Sequence, residues 1–196
     1  MEYLSTETID TPIGPMQAVA SAQGLCALEF VTPDRQHLLQ ARLARWYHGH
    51  RIEQRSHPSI RAAARWLRSY FNGRFDELTE LTLDLRGTPF EVRVWQALRR
   101  LPIGETIAYA ALATHVGSPK GARAAGGASR RNPLSIIIPC HRVIGEQGQL
   151  TGYGGGIEQK QYLLTHEAAA GHPHVKETHR EALDRVAPPA NSTSVK

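Results

Sequence analysis

The 196-residue chain holds two cysteines, Cys26 and Cys140, too few for a disulfide framework or for a cysteine-based zinc site of familiar spacing. Cys140 stands in the run Ile138-Pro139-Cys140-His141-Arg142-Val143. A thiol becomes a good nucleophile when it loses its proton, and a neighbouring base or cation brings that loss within reach of neutral pH. His141 and Arg142 follow at once. On an extended segment adjacent residues point to opposite faces, so His141 reaches the thiol only through a turn or a bridging water. The alternative reading of Cys140 is a small buried hydrophobe. Pro139 weighs against it, because proline stiffens the approach and leaves no donor for a sheet ladder. Cys26 has no such neighbours and reads as inert.

The elements that must position this cysteine fall into two units, residues 1–82 and 88–169, joined by a linker at 83–87. From Tyr3 to Phe30, short alternating apolar segments are separated by the turn signals Thr11-Pro12, Gly14-Pro15 and Gln23-Gly24, which predicts a small antiparallel sheet. Leu39, Leu43 and Trp46, then Ile60, Ala63, Ala64, Leu67, Tyr70 and Phe71, recur at helical spacing, the second set stopping at Asn72-Gly73. Trp46, Trp66 and Tyr70 read as core filler. The second unit opens at Thr88-Pro89-Phe90-Glu91, a capping box with proline at the first helical position. That helix is expected to run to Leu101, burying Phe90, Val94, Ala97, Leu98 and Leu101.

Two short helical patterns follow, Tyr109 to Val116 and Pro119 to Ser129, joined by Gly117-Ser118 with Ser118 as the cap. The second carries Lys120 and Arg123 and is otherwise nearly all small, from Gly121 to Ala128. Its three glycines each cost about 1 kcal/mol of helix stability relative to alanine, so the gain must be close approach. The partner is either another helix or a nucleic-acid groove. Charge favours the groove: between Thr106 and Gly145 there is no Asp or Glu, while Lys120, Arg123, Arg130, Arg131 and Arg142 all lie there, and surfaces that bind nothing normally intersperse both signs. Leu134 to Ile138 then reads as a buried strand delivering Cys140 to its end. A glycine-rich loop and a helix from about Glu158 to Glu167 follow. Residues 170 to 196 turn polar without period and read as a disordered tail.

These motifs resemble the alkylguanine-DNA alkyltransferases, also called methylated-DNA-protein-cysteine methyltransferases. The match includes Gly87-Thr88-Pro89-Phe90, Val94-Trp95, Ile103-Gly104-Glu105-Thr106, Ala122-Arg123-Ala124, Asn132-Pro133, Ile138 to Val143, Gly152 to Gly156, Lys160 and Leu163 to Glu167. The N-terminal unit matches more loosely, through Thr11 to Gly14 and Gln23-Gly24-Leu25. The resemblance implies an α/β (α+β) fold: a ribonuclease-H-like sheet-and-helix domain before a mostly helical domain with a helix-turn-helix. It implies repair of double-stranded DNA by irreversible transfer of an alkyl group from the oxygen at position 6 of guanine to Cys140, one turnover per molecule and no cofactor.

By the same resemblance Glu167 orients His141, which takes the thiol proton through a water, and Asn132 is the hinge between recognition helix and active-site segment. Arg123 replaces the flipped nucleotide in the base stack. Tyr109 helps rotate the adjoining phosphate, Arg130 contacts phosphate, and Lys120, Ala122, Ala124 and Gly126 lie along the DNA-facing side in the minor groove. Tyr109, Ser129, Val143, Tyr153 and Gly154 form the base pocket, with the carbonyls of Cys140 and Val143 reading guanine. Departures fall at Ala108, where Ser commonly caps the Tyr109 helix, at Ser129 and at Gly154. They bear on the range of substrate sizes and not on the reaction, and the oxygen at position 4 of alkylated thymine is the further substrate that the resemblance admits. No ligand set matches the zinc site of the mammalian relative, so no metal is expected.

Three rivals differ in kind. A cysteine hydrolase would give the basic helix-turn-helix no purpose, a lesion-binding protein would carry another residue at position 140, and an alkylation-sensing regulator would want a further cysteine cluster. Composition agrees with a globular DNA partner protein: 41% hydrophobic residues, with 23 Lys+Arg against 18 Asp+Glu. No apolar run approaches the ~20 residues of a membrane span, and the opening residues lack a signal-peptide core. A soluble, cytoplasmic monomer is expected, with cooperative clustering on DNA left open.

Overall fold

The structure is a computed structural model that describes residues 3–169; the expected tail at 170–196 lies outside the described residues. The chain opens with three antiparallel strands, β1 (Tyr3–Ile9), β2 (Met16–Ser21) and β3 (Gly24–Phe30). A fourth strand, β4 (Arg51–Gln54), adds to β1 in parallel, giving the order β3-β2-β1-β4. The alternation rule misses β4 because all four of its residues are exposed, so no buried face leaves a pattern. Helix α1 (Pro33–Trp46) covers one face, packing Leu39, Leu43 and Tyr47 on Leu4, Val19, Cys26 and Ala27. Helix α2 (Pro58–Phe71) covers the other, setting Ile60, Ala63, Leu67 and Tyr70 against Met16, Ala18, Ala20, Leu25 and Leu28. With helices on both sides, every residue of β3 is buried.

The capping box forms as read: the Glu91 N–H donates to Thr88 Oγ1 at 3.3 Å and the Thr88 N–H to Glu91 Oε2 at 2.9 Å. It starts α3 (Pro89–Arg99), which stops short of Leu101. Trp95, fully buried, donates its indole N–H to the Ala128 carbonyl at 2.9 Å and pins α3 to the second helix of the helix-turn-helix. Short strands β5 (Ile107–Ala108) and β6 (Val143–Ile144) pair in parallel. Helices α4 (Tyr109–His115) and α5 (Ala122–Arg130) form the helix-turn-helix, and α6 (Ile157–Ala169) closes the described chain.

Two expectations need correction. Helix α5 starts at Ala122, not Pro119, because Ser118 is engaged in closing α4. Its N–H bonds to Ala113 O at 2.8 Å while that of Gly117, at φ 78°, bonds to Thr114 O at 3.0 Å, the Schellman closure that favours glycine. Residues 118–121 then make a turn closed by Gly121 N–H to Ser118 O at 2.7 Å. Nor is Leu134 to Ile138 a strand. Ser135 bridges Ile138 around a tight turn in which Ile136 takes φ 72°. The segment is apolar because it is buried, and its carbonyls are satisfied within the turn instead of by a ladder: Leu134 O accepts the Ile138 N–H at 2.9 Å, Ser135 O the Ile137 N–H at 2.9 Å, and Ile138 O the Cys140 N–H at 2.8 Å.

The core does not stop at the linker. A single buried cluster runs from Met16 and Leu28 through Tyr70, Val94, Trp95 and Leu112 to Ile138, Cys140 and Leu163. The free edge of β3 is covered from the other unit: Leu28 N–H donates to Pro133 O at 2.8 Å, and Ser135 N–H to Leu28 O at 2.9 Å. The sheet therefore supports the turn that leads to Cys140.

Candidate active site and nucleic-acid face

Cys140 opens a single 3-10 turn, Cys140–Arg142, directly after Pro139. Asn132 shapes the approach with both ends of its amide. Its Oδ1 accepts the Leu134 N–H at 3.0 Å, and its Nδ2 donates to Ile138 O at 2.8 Å and lies 3.1 Å from Cys140 Sγ. Asparagine suits this task because one planar group offers an acceptor and two donors. Burial pushes the thiol above its ordinary range, while Asn132 and the more distant Arg35 and Lys160 favour the thiolate. The resting group is a protonated thiol, 9% exposed, that needs a base.

The 3-10 turn removes the objection that neighbours on an extended chain face apart. His141, fully buried, has its Nε2 2.8 Å from Glu167 Oε1. An ionised carboxylate only accepts, so Nε2 carries the proton and Nδ1 keeps its lone pair. Nδ1 is buried and has no partner among the described residues. Burial lowers the imidazole's affinity for a proton, against the pull of Glu167. Glu167, also fully buried, is held well below the usual carboxylate range despite burial. His141 and Arg142 outweigh the desolvation: Arg142 Nε and Nη2 donate to Oε2 and Oε1, each at 2.9 Å. Gly104 N–H reaches Oε2 at 3.1 Å and Tyr70 OH reaches Oε1 at 2.7 Å. Thiol, amide, neutral imidazole and anchored carboxylate are the parts of a general-base-activated nucleophile.

Comparison with known proteins agrees with this geometry. Residues 89–169 match the family described as 6-O-methylguanine DNA methyltransferase, DNA binding domain, and residues 4–85 match its ribonuclease-like domain. A methylated-DNA–protein-cysteine methyltransferase of Mycobacterium tuberculosis is 42% identical over 158 residues, covering 80% of this chain and 88% of its own. The Salmonella typhimurium protein of that name is 41% identical over 169 residues, covering 85% and 97%. The chain belongs to the methylated-DNA–protein-cysteine methyltransferase family. Among solved structures, Mycobacterium tuberculosis OGT in complex with DNA aligns with TM-score 0.71 at 38% identity over 85% of this chain and 94% of its own. The Pyrococcus kodakaraensis O6-methylguanine-DNA methyltransferase aligns at TM-score 0.58 and 27% identity, over 84% and 98%.

The residues that the family resemblance assigned to DNA lie on and before α5. Lys120, Arg123, Ala124 and Arg130 are exposed, Ala122 is half-buried, and Ala125, Ala128 and Ser129 form the inner face. Gly126 sits against the Tyr109 ring, where an added Cβ would come within 3.3 Å, so its smallness also serves packing inside the helix pair. Tyr109 OH donates to Thr151 O at 3.3 Å, and Ala108 provides no side-chain cap to α4. Ser129 Oγ donates to Ala125 O at 2.8 Å. The Tyr153 hydroxyl is buried without a partner among the described residues, its ring edge-on to His141 at 6.2 Å and to Phe30 at 6.0 Å. Gly154 lies against the Arg35 guanidinium, which an added Cβ would meet at 2.6 Å. The carbonyls of Val143 and Cys140 already accept, from Lys160 Nζ at 2.5 Å and from the Val143 N–H, and each retains a second lone pair.

The acid-free stretch is not one basic surface. Arg142 is 4% exposed and bound to Glu167, and Arg131 is paired with Glu91. Sequence counting put both on the outside, which holds for Arg131 but not for Arg142, and it left both unpaired because an arginine's partner in space leaves no mark nearby in the chain. It also missed Arg35, whose Nε and Nη2 donate to Glu29 at 2.6 and 2.7 Å while Nη1 reaches Arg130 O at 3.3 Å. Burial pushes Glu29 up to about 7, yet the fork-to-fork geometry fits a carboxylate against a guanidinium. Lys160, matched by resemblance without a role, is buried, lowered to about 8 by desolvation, and ties Val143 O to Thr151 O at 2.5 and 2.8 Å. No group of three or more His, Cys, Asp or Glu among the described residues could hold a metal ion, and no described helix is long and apolar enough to cross a membrane.

Proposed function

We propose that this protein repairs alkylated double-stranded DNA by moving an alkyl group from the oxygen at position 6 of guanine onto Cys140 Sγ. The observation that carries the reading is the thiol beside Asn132, one residue before a histidine whose Nε2 is locked on buried Glu167 and whose Nδ1 has no protein partner. The thiol proton passes through a water to His141 Nδ1, and Glu167 stabilises the imidazolium that forms. The thiolate attacks the alkyl carbon in line and the carbon–oxygen bond breaks; the guanine anion takes up at its ring nitrogen the proton that the thiol gave up, returned from the His141 imidazolium through water. The product is a thioether, which nothing in the site hydrolyses, so each molecule reacts once.

A thiol this buried meets a base only if the base leaves the stack. Helix α5 in the minor groove, with Arg123 filling the gap, supplies that step, and phosphate contacts from Lys120 and Arg130 hold the register. Val143, Tyr153, Gly154, Ser129 and Tyr109 would then surround the flipped guanine. The reading places the protein in whichever compartment holds the DNA, the cytoplasm in a bacterium.

Intact mass after incubation with a duplex containing 6-O-methylguanine tests this, with Cys140→Ser alongside. A stoichiometric gain of ~14 Da, absent from the variant, is expected for transfer to the thiol. DNA binding without mass gain would overturn the transferase reading in favour of lesion binding.

A further inference from the structure

We infer that Tyr70, a residue of the N-terminal unit, is a positioning residue for this transfer: its hydroxyl shares the Glu167 oxygen that holds His141 and so sets how strongly the histidine takes the thiol proton. The inference rests on the transfer reading above. Tyr70 lies on α2, and its fully buried hydroxyl donates to Glu167 Oε1 at 2.7 Å, the oxygen that His141 Nε2 meets at 2.8 Å. The ring is held from several sides. Trp66 stacks on it at 5.4 Å with planes 9° apart, Phe71 and Phe75 meet it edge-on, and the His166 ring nitrogen bonds to the Tyr70 carbonyl at 2.7 Å.

Packing alone would be served by phenylalanine; the hydroxyl adds a donor aimed at one carboxylate oxygen. Burial and Glu167 push the phenol well above its ordinary range, so it donates at every working pH. Oε1 then serves three donors, from Tyr70, His141 and Arg142. Each draws on the same lone-pair density, and what the phenol takes is not available to an imidazolium. Tyr70 therefore keeps His141 a weaker, neutral base at rest. Around the pair stand Arg142 on the same turn, Cys140, Lys160 and His166 from α6, and Tyr153 from the glycine loop. Replacing the phenol with phenyl leaves all of these in place. The ribonuclease-like unit, whose own Cys26 is buried and raised to about 12 by desolvation, thus enters the chemistry through one hydroxyl.

Two measurements test this on the full chain: single-turnover methyl transfer against pH, and NMR titration of the His141 ring nitrogens without DNA, each for the parent and for Tyr70→Phe. Losing the donor should strengthen His141 as a base. The acid limb of the rate profile and the His141 midpoint should both rise by about 0.5–1 pH, while complete methylation is still reached. Trp66→Phe, which loosens the ring stack but keeps the hydroxyl, should move neither midpoint. Unmoved midpoints in Tyr70→Phe, or equal movement in Trp66→Phe, would reduce Tyr70 to packing and overturn the inference. If the parent takes up no methyl group while the His141 midpoint still moves, the transfer reading fails and the coupling of Tyr70 to His141 stands.

Discussion

Asn132 Nδ2 lies 3.1 Å from Cys140 Sγ and 2.8 Å from the Ile138 carbonyl, so one amide both bends the chain before the nucleophile and touches it. Asn132→Ala leaves the Leu134 N–H buried without a partner and takes one of two donors from the Ile138 carbonyl, which keeps the Cys140 N–H, a loss of about 1–3 kcal/mol for the unsatisfied group. The variant should unfold at lower urea and transfer methyl more slowly at every pH. Asn132→Asp should also slow transfer, because a carboxylate beside the thiol opposes the thiolate. Rate and urea midpoint measured together separate the two effects, and an unchanged rate in both variants would remove Asn132 from the site.

Glu167 and His141 predict the acid limb of stability. Both bind a proton less readily folded than unfolded. The unfolded chain therefore takes up more protons as pH falls. Stability present at neutral pH should decline first through the ordinary histidine range near ~6.5 and again through the carboxylate range near ~4 and below. Glu167→Gln strands the buried Arg142 charge and should cost about 3–5 kcal/mol at pH 7, a difference that shrinks toward pH 3. Urea midpoints across pH check it; a gap independent of pH would contradict the ionised pair.

Arg35 joins the two units, bonding Glu29 at one end and the Arg130 carbonyl at the other. Arg35→Met leaves Glu29 buried and unpaired and should destabilise by about 3–5 kcal/mol, whereas Arg35→Met with Glu29→Leu should recover most of the loss. Thermal or urea unfolding of the four members of the cycle decides. A double variant no more stable than the single one would show that the bonds to the Arg130 and Asn132 carbonyls matter more than the charge pair.

Arg123 is exposed on α5, and its predicted effect depends on the substrate. Arg123→Ala should slow transfer from duplex DNA roughly 10–100-fold, in keeping with the few kcal/mol that base flipping requires. Transfer from a free 6-O-alkylguanine base, which needs no flipping, should be unchanged. Equal slowing on both would place Arg123 in the chemistry or the fold instead of the groove.

Local physics made much of this protein legible without coordinates. The Thr88–Glu91 capping box, the antiparallel pairing of β1–β3 and the helices α1 and α2 rest on short-range signals and all appear in the fold, although helices on both faces bury β3 throughout and erase its alternation. The motif around Cys140, with Glu167 matched at a distance, pointed through resemblance to residues that the fold brings together, His141 on Glu167 and Asn132 beside the thiol. Only the tertiary structure could decide the rest. Leu134 to Ile138 carries the composition of a strand, yet it closes on itself through the bond from the Ile138 N–H to the Leu134 carbonyl, and the Asn132 amide braces that turn at the Leu134 N–H and the Ile138 carbonyl. Arg142 looks like surface charge until Glu167 arrives from α6, and Tyr70 looks like filler until the same carboxylate meets its hydroxyl. Periodicity records which side of an element is buried; it does not record which buried polar group finds which. A carboxylate that gathers donors from three separate stretches of chain is specified by the packing that brings those stretches together.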